Sequence, residues 1–396
     1  MSADLLAIWS FPTKMLVGPG RLGELVATCA GVGIARPLLV TDRGLADAPM
    51  VIRARDDLAG AGLGVALFSD VRSNPTKRNV DAGLAALRMG RHDGVVAIGG
   101  GSALDVGKLI AFMSCQRRPI WDFEDIEDWW TRADQTGILP IIAVPTTAGT
   151  GSEVGRAAVV TNEKSHEKKI LFHPKMMPTV VISDPELTVG LPANITAATG
   201  FDAFTHCFEA YCVSAFHPLA DGIALEGMRL VKEYLPRAVK NGSDLEARSR
   251  MLAAASMGAI AFQKGLGAVH AIAHPISAFY DTHHGLTNGI LLPYVMMFNR
   301  PAIDPKMDLL ARVLGLPDGR FSTVLAWLVE FRGDLGIPHS LSKIGLTTDR
   351  AKEIGEHAER DPAAAGNPVV VKAADLEQIY RAAVLGDPSL ATARQV

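Results

Sequence analysis

The stretch GVVAIGGGSALDVGK, residues 94–108, joins a short apolar run to three glycines and then to a helical pattern. The density of Val and Ile in the run predicts a strand that is buried on both faces, as in a parallel sheet covered by helices. Gly99, Gly100 and Gly101 allow the backbone to approach a ligand closely, and a helix that begins after them offers free N–H groups and a positive dipole. The stretch therefore predicts a strand–turn–helix unit of an α/β fold.

The turn itself has two interpretations. As an anion site it would hold a pyrophosphate, with Ser102 as the N-cap of the helix and Asp105 in a capping-box-like position. Because the G-x-G-x-x-G fingerprint is absent, an ordinary tight turn between a strand and a helix stays open as the alternative.

Four other apolar runs have the same strand-like composition, and helical patterns such as residues 78–90 lie between them. This alternation predicts an open, mainly parallel α/β sheet. The runs are ARPLLVTD (35–42), GVALFSDV (64–71), ILPIIAVPTT (138–147) and PTVVISD (178–184).

The character of the sequence changes at about residue 188, after which apolar residues recur at i, i+3 and i+4 with few β-branched runs. This pattern predicts helices. The segment DPELTVGLP (184–192) is rich in turn-forming residues and is the expected junction. We therefore expect an α/β domain over residues 1–187 and an all-helical domain over 188–396.

Polar side chains follow two further strand-like runs. Thr146, Thr147 and Thr150 belong to the loop VPTTAGTGSEV (144–154), and Asp42 ends the first run. The carboxyl ends of neighbouring parallel strands meet in one crevice, where open α/β sheets bind ligands. Asp42 could accept hydrogen bonds from a ribose diol and repel a 2′-phosphate, or it could be a solvated turn residue.

Acidic and imidazole side chains recur at helical spacing in the second half. Asp202 and His206 are four residues apart, as are His270 and His274, and His284 is expected on a following loop. Residues at i and i+4 lie on one face of a helix, so each pair could reach one cation. A mixed oxygen and nitrogen set suits iron or zinc, with nickel or cobalt possible, and suits Ca²⁺ poorly. The alternative is that each pair is a cap or a surface pair.

Composition excludes several classes of protein. The formal net charge of −3 over 396 residues gives no basic excess for nucleic acid or an anionic membrane surface. No uncharged apolar run reaches the ~20 residues that a bilayer span needs. The four cysteines form no CxxC pair, and the N-terminal segment has no basic region typical of a signal peptide. These features favour a cytoplasmic protein with reduced thiols.

Several motifs in one order resemble the iron-containing, group III alcohol dehydrogenases over nearly the whole chain. The resemblance implies an α/β dinucleotide-binding domain followed by an all-helical domain, an architecture shared with dehydroquinate synthase. The matching motifs are SNPTKRNVDAG, AIGGGSALDVGK, VPTTAGTGSEV, DPELTVGLP, AATGFDAFTHCFEAY, GLGAVHAIAHPISAFYDTHHGLTNGILLPYVMMFN and GNPVVVKAADLEQIY.

The resemblance implies that Asp202, His206, His270 and His284 hold the metal. His274 takes the position of an active-site residue that does not ligate, where it would help to relay a proton. His283 stands where many members have proline, which leaves open that His283 replaces His284. The spacing from His270 matches His284, so His284 is the ligand that we expect.

The resemblance also implies a set of cofactor-binding residues in the first domain. Asp42 matches the acid associated with NAD rather than NADP. The pyrophosphate would lie on the glycine turn, the nicotinamide beside the threonines, and the adenine beside the loop at residues 74–75. The residues are Asp42, Asn74, Pro75, Gly99, Gly100, Gly101, Ser102, Asp105, Thr146, Thr147, Thr150 and Lys168.

The expected function is reversible hydride transfer between a small primary alcohol and NAD⁺, with Fe²⁺, or Zn²⁺ or another divalent ion, as Lewis acid.

One alternative is a hydroxy-acid dehydrogenase that yields a semialdehyde, because Lys264 or Arg156 could pair with an anionic tail. Related polyol dehydrogenases use zinc with fewer imidazoles, and maleylacetate reductases lack the full ligand set. A non-catalytic nucleotide- or metal-binding regulator is the alternative from another class. The resemblance implies a homodimer or larger assembly.

Overall fold

The computed structural model describes residues 13–165 and 167–392. Contacts divide the chain into two compact units, one ending at Gly190 and the other starting at Leu191. The domain bounds 1–187 and 188–396 stay a prediction. Residues 1–12, on which the expected absence of a signal peptide partly depends, lie outside the described residues.

The first unit is built on a six-stranded sheet in which every neighbouring pair is parallel. The described strands of this unit include the six of the sheet and two outside it, β6 and β7. In chain order they are β1 (Lys14–Val17), β2 (Pro37–Val40), β3 (Ala66–Phe68), β4 (Gly94–Gly99), β5 (Ile141–Pro145), β6 (Ala157–Asn162), β7 (Glu167–Phe172) and β8 (Val180–Ser183). The order in the sheet is β1-β8-β5-β4-β2-β3. All five strands expected from apolar runs are confirmed, and so is the α/β class of this unit.

Two features of this unit were not expected from the sequence. β1 has only four residues, and none of them is fully buried, so no apolar run marks it. β6 and β7 form a separate antiparallel hairpin, and the sequence EKKILF of β7 is too polar to look like a core strand.

Four α-helices accompany the sheet in the described part of this unit: α1 (Leu25–Gly31), α2 (Pro49–Gly60), α3 (Lys77–Gly90) and α4 (Gly101–Met113). The pattern at 78–90 is therefore a helix, as predicted. A capping box between Thr76 and Asn79 begins α3. α4 is buried along most of its length because it contacts both β4 and β5.

Over residues 191–392 the second unit forms helices joined by loops and no strands, as the apolar spacing predicts. Its α-helices are α5 (Ala193–Cys212), α6 (Pro218–Lys240), α7 (Leu245–Ala261), α8 (Ala268–Tyr280), α9 (His284–Val313), α10 (Phe321–Asp334), α11 (Ala351–Arg360) and α12 (Ala373–Leu385). α5 contacts α6, α7 and α9 and is buried along nearly its whole length. Polar side chains on α5 therefore lie inside protein and require partners there.

The expectation of a loop around His284 is wrong. The segment PISAFY, which resembles a turn because of Pro275, belongs to α8, and His284 is the first residue of α9. Helical packing of the flanking apolar residues has outweighed the missing N–H of Pro275.

No single helix in the described parts of the chain is long and apolar enough to cross a membrane. One strongly bent helix pair, Leu245–Lys264 with Ala268–Tyr280, passes the same test of length and composition. None of the four cysteines, all of which are described, forms a disulfide.

Candidate functional site

In the first unit, the predicted binding loops meet at one edge of the sheet. β2 and β4 are neighbours, yet the chain continues outward from β2 to β3 and in the opposite direction from β4 to β5. This reversal is a topological switch point, where open α/β sheets bind ligands beyond the carboxyl ends of their strands. Asp42 follows β2, the glycine turn ends β4, and Thr146 follows β5.

The glycine turn requires glycine for two physical reasons. Gly99 has φ +153°, and a Cβ there would lie 2.7 Å from the Cβ of Ala103. A Cβ on Gly101 would lie 2.7 Å from Cγ2 of Thr150, so the turn and the threonine loop are in direct contact. The structure thus brings these two predicted loops together.

The expected capping arrangement is wrong. Gly100 is the N-cap of α4 and makes no side-chain cap bond, and Ser102 lies inside the helix. The Ser102 hydroxyl donates instead to the carbonyl of Ser73, in the loop that contains Asn74 and Pro75. A glycine cap has no side chain to occupy the first N–H groups, so they stay available to an anion.

The Asp105 carboxylate is used for internal contacts. It accepts hydrogen bonds from the Ser152 hydroxyl and from the Val159 N–H at 3.0 Å, and it lies 3.1 Å from Nζ of the buried Lys108. Lys108 also donates to the carbonyls of Ser152 and Ala157. These contacts hold the threonine loop and β6 against α4, and a role for Asp105 in cofactor binding stays a prediction.

The other predicted cofactor residues lie in the same unit. Oδ1 of Asp42 accepts from the Leu45 N–H at 3.1 Å, and Oδ2 lies 3.4 Å from where a Cβ on Gly99 would be. Pro75 accepts a hydrogen bond from the N–H of Thr161, whose register partner in the hairpin is Lys168. Direct contacts of these residues with a nucleotide remain predictions.

In the second unit, three predicted ligands form one buried cluster. Potential ligand atoms of Asp202, His206 and His270 all lie within 4.8 Å of one another. Asp202 and His206 come from α5 and His270 from α8, and the rings of His206 and His270 stack with centroids 4.6 Å apart. The helical spacing places Asp202 and His206 on one face of α5 as predicted, and the approach of α8 adds His270.

The Asn288 side chain contacts one carboxylate oxygen and two imidazole nitrogens at this cluster. Its Nδ2 lies 2.7 Å from Oδ1 of Asp202, 3.1 Å from Nε2 of His270 and 3.0 Å from Nε2 of His284. One NH₂ group has two hydrogens, so it cannot donate to all three of these atoms at once. One carboxylate and several imidazole nitrogens that lie this close together suit a divalent cation such as iron or zinc.

Comparison with known proteins bears directly on this cluster. The family model for iron-containing alcohol dehydrogenase matches residues 12–185, and the model for the C-terminal part of the Fe-containing alcohol dehydrogenase family matches residues 196–384. The chain belongs to the iron-containing alcohol dehydrogenase family. It is therefore an oxidoreductase of CH–OH donors, with a metal-binding site at Asp202, His206 and His270.

Individual known proteins resemble the chain over nearly its whole length. A 4-hydroxybutyrate dehydrogenase of Cupriavidus necator is 39% identical over 370 residues, 91% of this chain and 95% of that protein. An NAD-dependent methanol dehydrogenase of Bacillus methanolicus is 33% identical over 380 residues, which are 94% of this chain and 98% of that protein. The crystal structure of a 1,3-propanediol oxidoreductase superposes with a TM-score of 0.90 at 34% identity. The match covers 95% of this chain and 100% of that chain.

The fourth expected ligand of this family member, His284, lies beside the cluster. Its ring centroid is 5.3 Å from that of His270, and Asn288 joins its Nε2 to the other acceptors. Nδ1 of His283 accepts from the Leu286 N–H and caps α9. The cap occupies His283 and therefore favours His284 as the ligand.

His274 is buried next to these residues, and its ring stacks on His284 with centroids 5.4 Å apart. Its Nδ1 lies 2.7 Å from Oδ2 of Asp361. A carboxylate only accepts hydrogen bonds, so Nδ1 donates, and Nε2 is left as the acceptor of the neutral ring.

Three residues of the site were missed at the level of sequence. Glu209 and Asn288 lie three and four residues after the ligand positions His206 and His284, so the rule of helical spacing could have found them. Asp361 reaches His274 across 87 positions of sequence, and no local pattern indicates this contact.

The proposed anion-binding side chains have other partners. The Lys264 side chain is buried, and its ammonium pairs with Asp221 and approaches the carbonyl of Tyr211. The Arg156 guanidinium lies over the ring of Phe172 in the hairpin. The ion pair of Lys264 supports a structural role for that residue.

Proposed function

We propose that the chain interconverts a small primary alcohol and its aldehyde by hydride transfer to and from NAD, with Fe²⁺ held by Asp202, His206, His270 and His284. The observation that supports this most is the buried convergence of one carboxylate and imidazole nitrogens in a member of this family. Zn²⁺ would suit the same donors.

NAD rather than NADP is the proposed cofactor, and the glycine turn is its proposed pyrophosphate site. Asp42 follows β2 at the switch point, where its negative charge would repel a 2′-phosphate. The adjacent Arg43 pairs with Asp70, so its charge is already compensated. Thr146, Thr147 and Thr150 are proposed to contact the nicotinamide side.

The residues of the second unit would position the substrate and move its proton. A divalent metal, when bound, supplies Lewis-acid polarisation of the substrate oxygen. Burial of Asp202, His206 and His270 limits the access of water, which strengthens electrostatic interactions in the site. His274 would accept the hydroxyl proton at Nε2, because Asp361 holds the other ring nitrogen in its protonated form.

Anaerobically purified protein, loaded with Fe²⁺ or Zn²⁺, tests this proposal. NADH formation is measured with methanol, 1-butanol, 1,3-propanediol and 4-hydroxybutyrate. We expect metal-dependent turnover of at least one alcohol, loss of turnover in His270→Ala, and retained NADH binding in that variant. No turnover with any alcohol or aldehyde, despite bound metal, would favour the non-catalytic regulator.

A hydroxy-acid substrate is the second candidate, and similarity to a 4-hydroxybutyrate dehydrogenase favours it. Because Lys264 already pairs with Asp221, Lys264→Ala is expected to leave the KM for 4-hydroxybutyrate unchanged while destabilising the protein by about 1–3 kcal/mol. KM and thermal unfolding are measured together. A KM that rises for 4-hydroxybutyrate but not for 1-butanol would assign Lys264 to the substrate.

A cytoplasmic location and a homodimer or larger assembly complete the proposal. Light scattering of the purified full chain measures the assembly directly.

A further inference from the structure

Glu209 lies on the same face of α5 as two metal ligands. It follows His206 by three residues and Asp202 by seven, so all three side chains project from one side of the helix. The Glu209 side chain is 4% exposed. A buried carboxylate is costly unless hydrogen bonds satisfy both oxygens, so its partners indicate its role.

Both oxygens of Glu209 contact α8. Oε2 lies 2.6 Å from Nδ1 of His270, and Oε1 accepts the N–H of Val269 at 2.8 Å. The second contact is at the first turn of α8, where a negative charge also interacts favourably with the helix dipole. Glu209 thus connects the helix that carries Asp202 and His206 with the helix that carries His270.

The contact with His270 determines which ring nitrogen can bind metal. A carboxylate only accepts hydrogen bonds, so Nδ1 carries the hydrogen and Nε2 has the lone pair. That Nε2 lies 3.9 Å from Oδ1 of Asp202, inside the cluster. Hydrogen bonding to a carboxylate fixes the orientation of a ligating imidazole and raises its basicity.

The local backbone leaves room for this contact. A Cβ on Gly267 would lie 2.9 Å from Oε1 of Glu209 and 2.9 Å from Oδ1 of Asn367. Asn367 accepts the N–H of Ala268, so two side chains from distant segments bind the start of α8. Only Glu209 of these two contacts the imidazole of His270.

We propose that Glu209 is a positioning residue of the metal site, which holds His270 in the tautomer and orientation that bind a divalent metal. The inference rests on the metal site of the proposed function and concerns affinity for the ion. It requires no particular alcohol.

Metal titration of the apo full chain tests this inference without NAD⁺ or alcohol. Co²⁺ absorption reports the ligand set, and competition between Zn²⁺ and a chromophoric chelator gives Kd. Glu209→Gln can still accept the Val269 N–H, but its NH₂ then faces Nδ1 and favours the tautomer that has hydrogen on Nε2. We expect its Kd for Zn²⁺ to rise by about 10–100-fold, with an altered Co²⁺ spectrum.

Asn367→Ala is the matched control, because it removes the other side-chain bond to the start of α8 and leaves Glu209 on His270. We expect its Kd for Zn²⁺ to stay near that of the wild type, even where its melting temperature falls. A wild-type Kd in Glu209→Gln, or an equal rise of Kd in Asn367→Ala, would overturn the inference.

If Glu209→Gln fails to fold, Glu209→Asp tests the inference in its place. It retains the negative charge but shortens the side chain by one methylene, which withdraws the carboxylate from His270. A raised Kd for Zn²⁺ supports the inference, and an unchanged Kd overturns it. A wild-type chain that binds neither Co²⁺ nor Zn²⁺ would overturn this inference and the proposed metal site together. Metal binding without alcohol turnover would contradict the proposed reaction alone.

Discussion

The imidazole of His274 and the carboxylate of Asp361 form a buried hydrogen-bonded pair, with Nδ1 and Oδ2 2.7 Å apart. The other oxygen of Asp361 accepts the N–H of Ala363 and caps the short helix at Pro362–Gly366. This second hydrogen bond fixes the orientation of the carboxylate. This fixed pair is the basis for assigning the proton of the reaction to Nε2 of His274.

Replacement of Asp361 by Ala is expected to lower kcat without removing the metal. His274→Ala should lower kcat by about 10²-fold or more, as expected for loss of a general base, and Asp361→Ala should lower it by a smaller factor because the ring loses its fixed tautomer. Metal content and kcat are measured for both variants. A wild-type kcat in Asp361→Ala would contradict the role of the pair, and loss of metal would indicate a structural role for Asp361.

The buried pair of Asp105 and Lys108 is expected to stabilise the first unit. Asp105→Ala leaves the Lys108 ammonium buried without its carboxylate, at an expected cost of about 3–5 kcal/mol in the free energy of unfolding. Urea denaturation measures this cost. Asp81→Ala is the control, because Asp81 pairs with Lys77 on an exposed helix face and should contribute about 0.5 kcal/mol or less. Equal losses in both variants would contradict the importance of burial.

Local periodicity predicted much of this fold and site, and contacts between distant segments limited the rest. The i and i+4 spacing of Asp202 and His206 was sufficient to predict a shared helix face, and the same rule reaches Glu209. β7 was missed because its charged residues suit a hairpin outside the main sheet. The contact of Asp361 with His274 depends on the tertiary approach of a short helix to α8, and local sequence patterns do not indicate such an approach.

Gly101→Ala is expected to weaken NADH binding and to destabilise the turn. The added Cβ would lie 2.7 Å from Cγ2 and 2.9 Å from Oγ1 of Thr150, so the threonine loop must move. Such overpacking typically costs about 1–3 kcal/mol. NADH fluorescence titration and thermal unfolding measure the two effects.

Gly60→Ala is the matched control for this change, because Gly60 lies at the end of α2 and nothing is within 4 Å of an added Cβ. It should leave the Kd for NADH unchanged and stability equal or slightly higher, since alanine reduces the entropy of the unfolded chain. An unchanged Kd for NADH in Gly101→Ala would contradict a nucleotide site at the glycine turn.

The cysteines are expected to differ sharply in reactivity. Burial raises the pKa of all four thiols, from 9.0 to about 12 for Cys29, Cys207 and Cys212, and Cys115 is the one that is partly exposed. At pH 8 a thiol with a pKa of about 12 is ionised to roughly one part in 10⁴, and the thiolate is the nucleophile. Iodoacetamide should therefore modify Cys115 first, and the other three cysteines only on unfolding. Mass spectrometry locates the label, and fast labelling of Cys207 in the folded chain would contradict its burial.

The same raised pKa values predict a loss of stability at alkaline pH. In the unfolded chain the thiols of Cys29, Cys207 and Cys212 ionise near pH 9, while in the folded chain they stay protonated until about pH 12. Between these pH values unfolding releases protons. The contribution of the three thiols to the free energy of unfolding is therefore fully present below pH 9 and declines as the pH rises toward 12. The free energy of unfolding in urea should fall over this range. Cys207→Ala, which removes one of the thiols, should reduce the slope, and an unchanged slope would contradict the shifted pKa of Cys207.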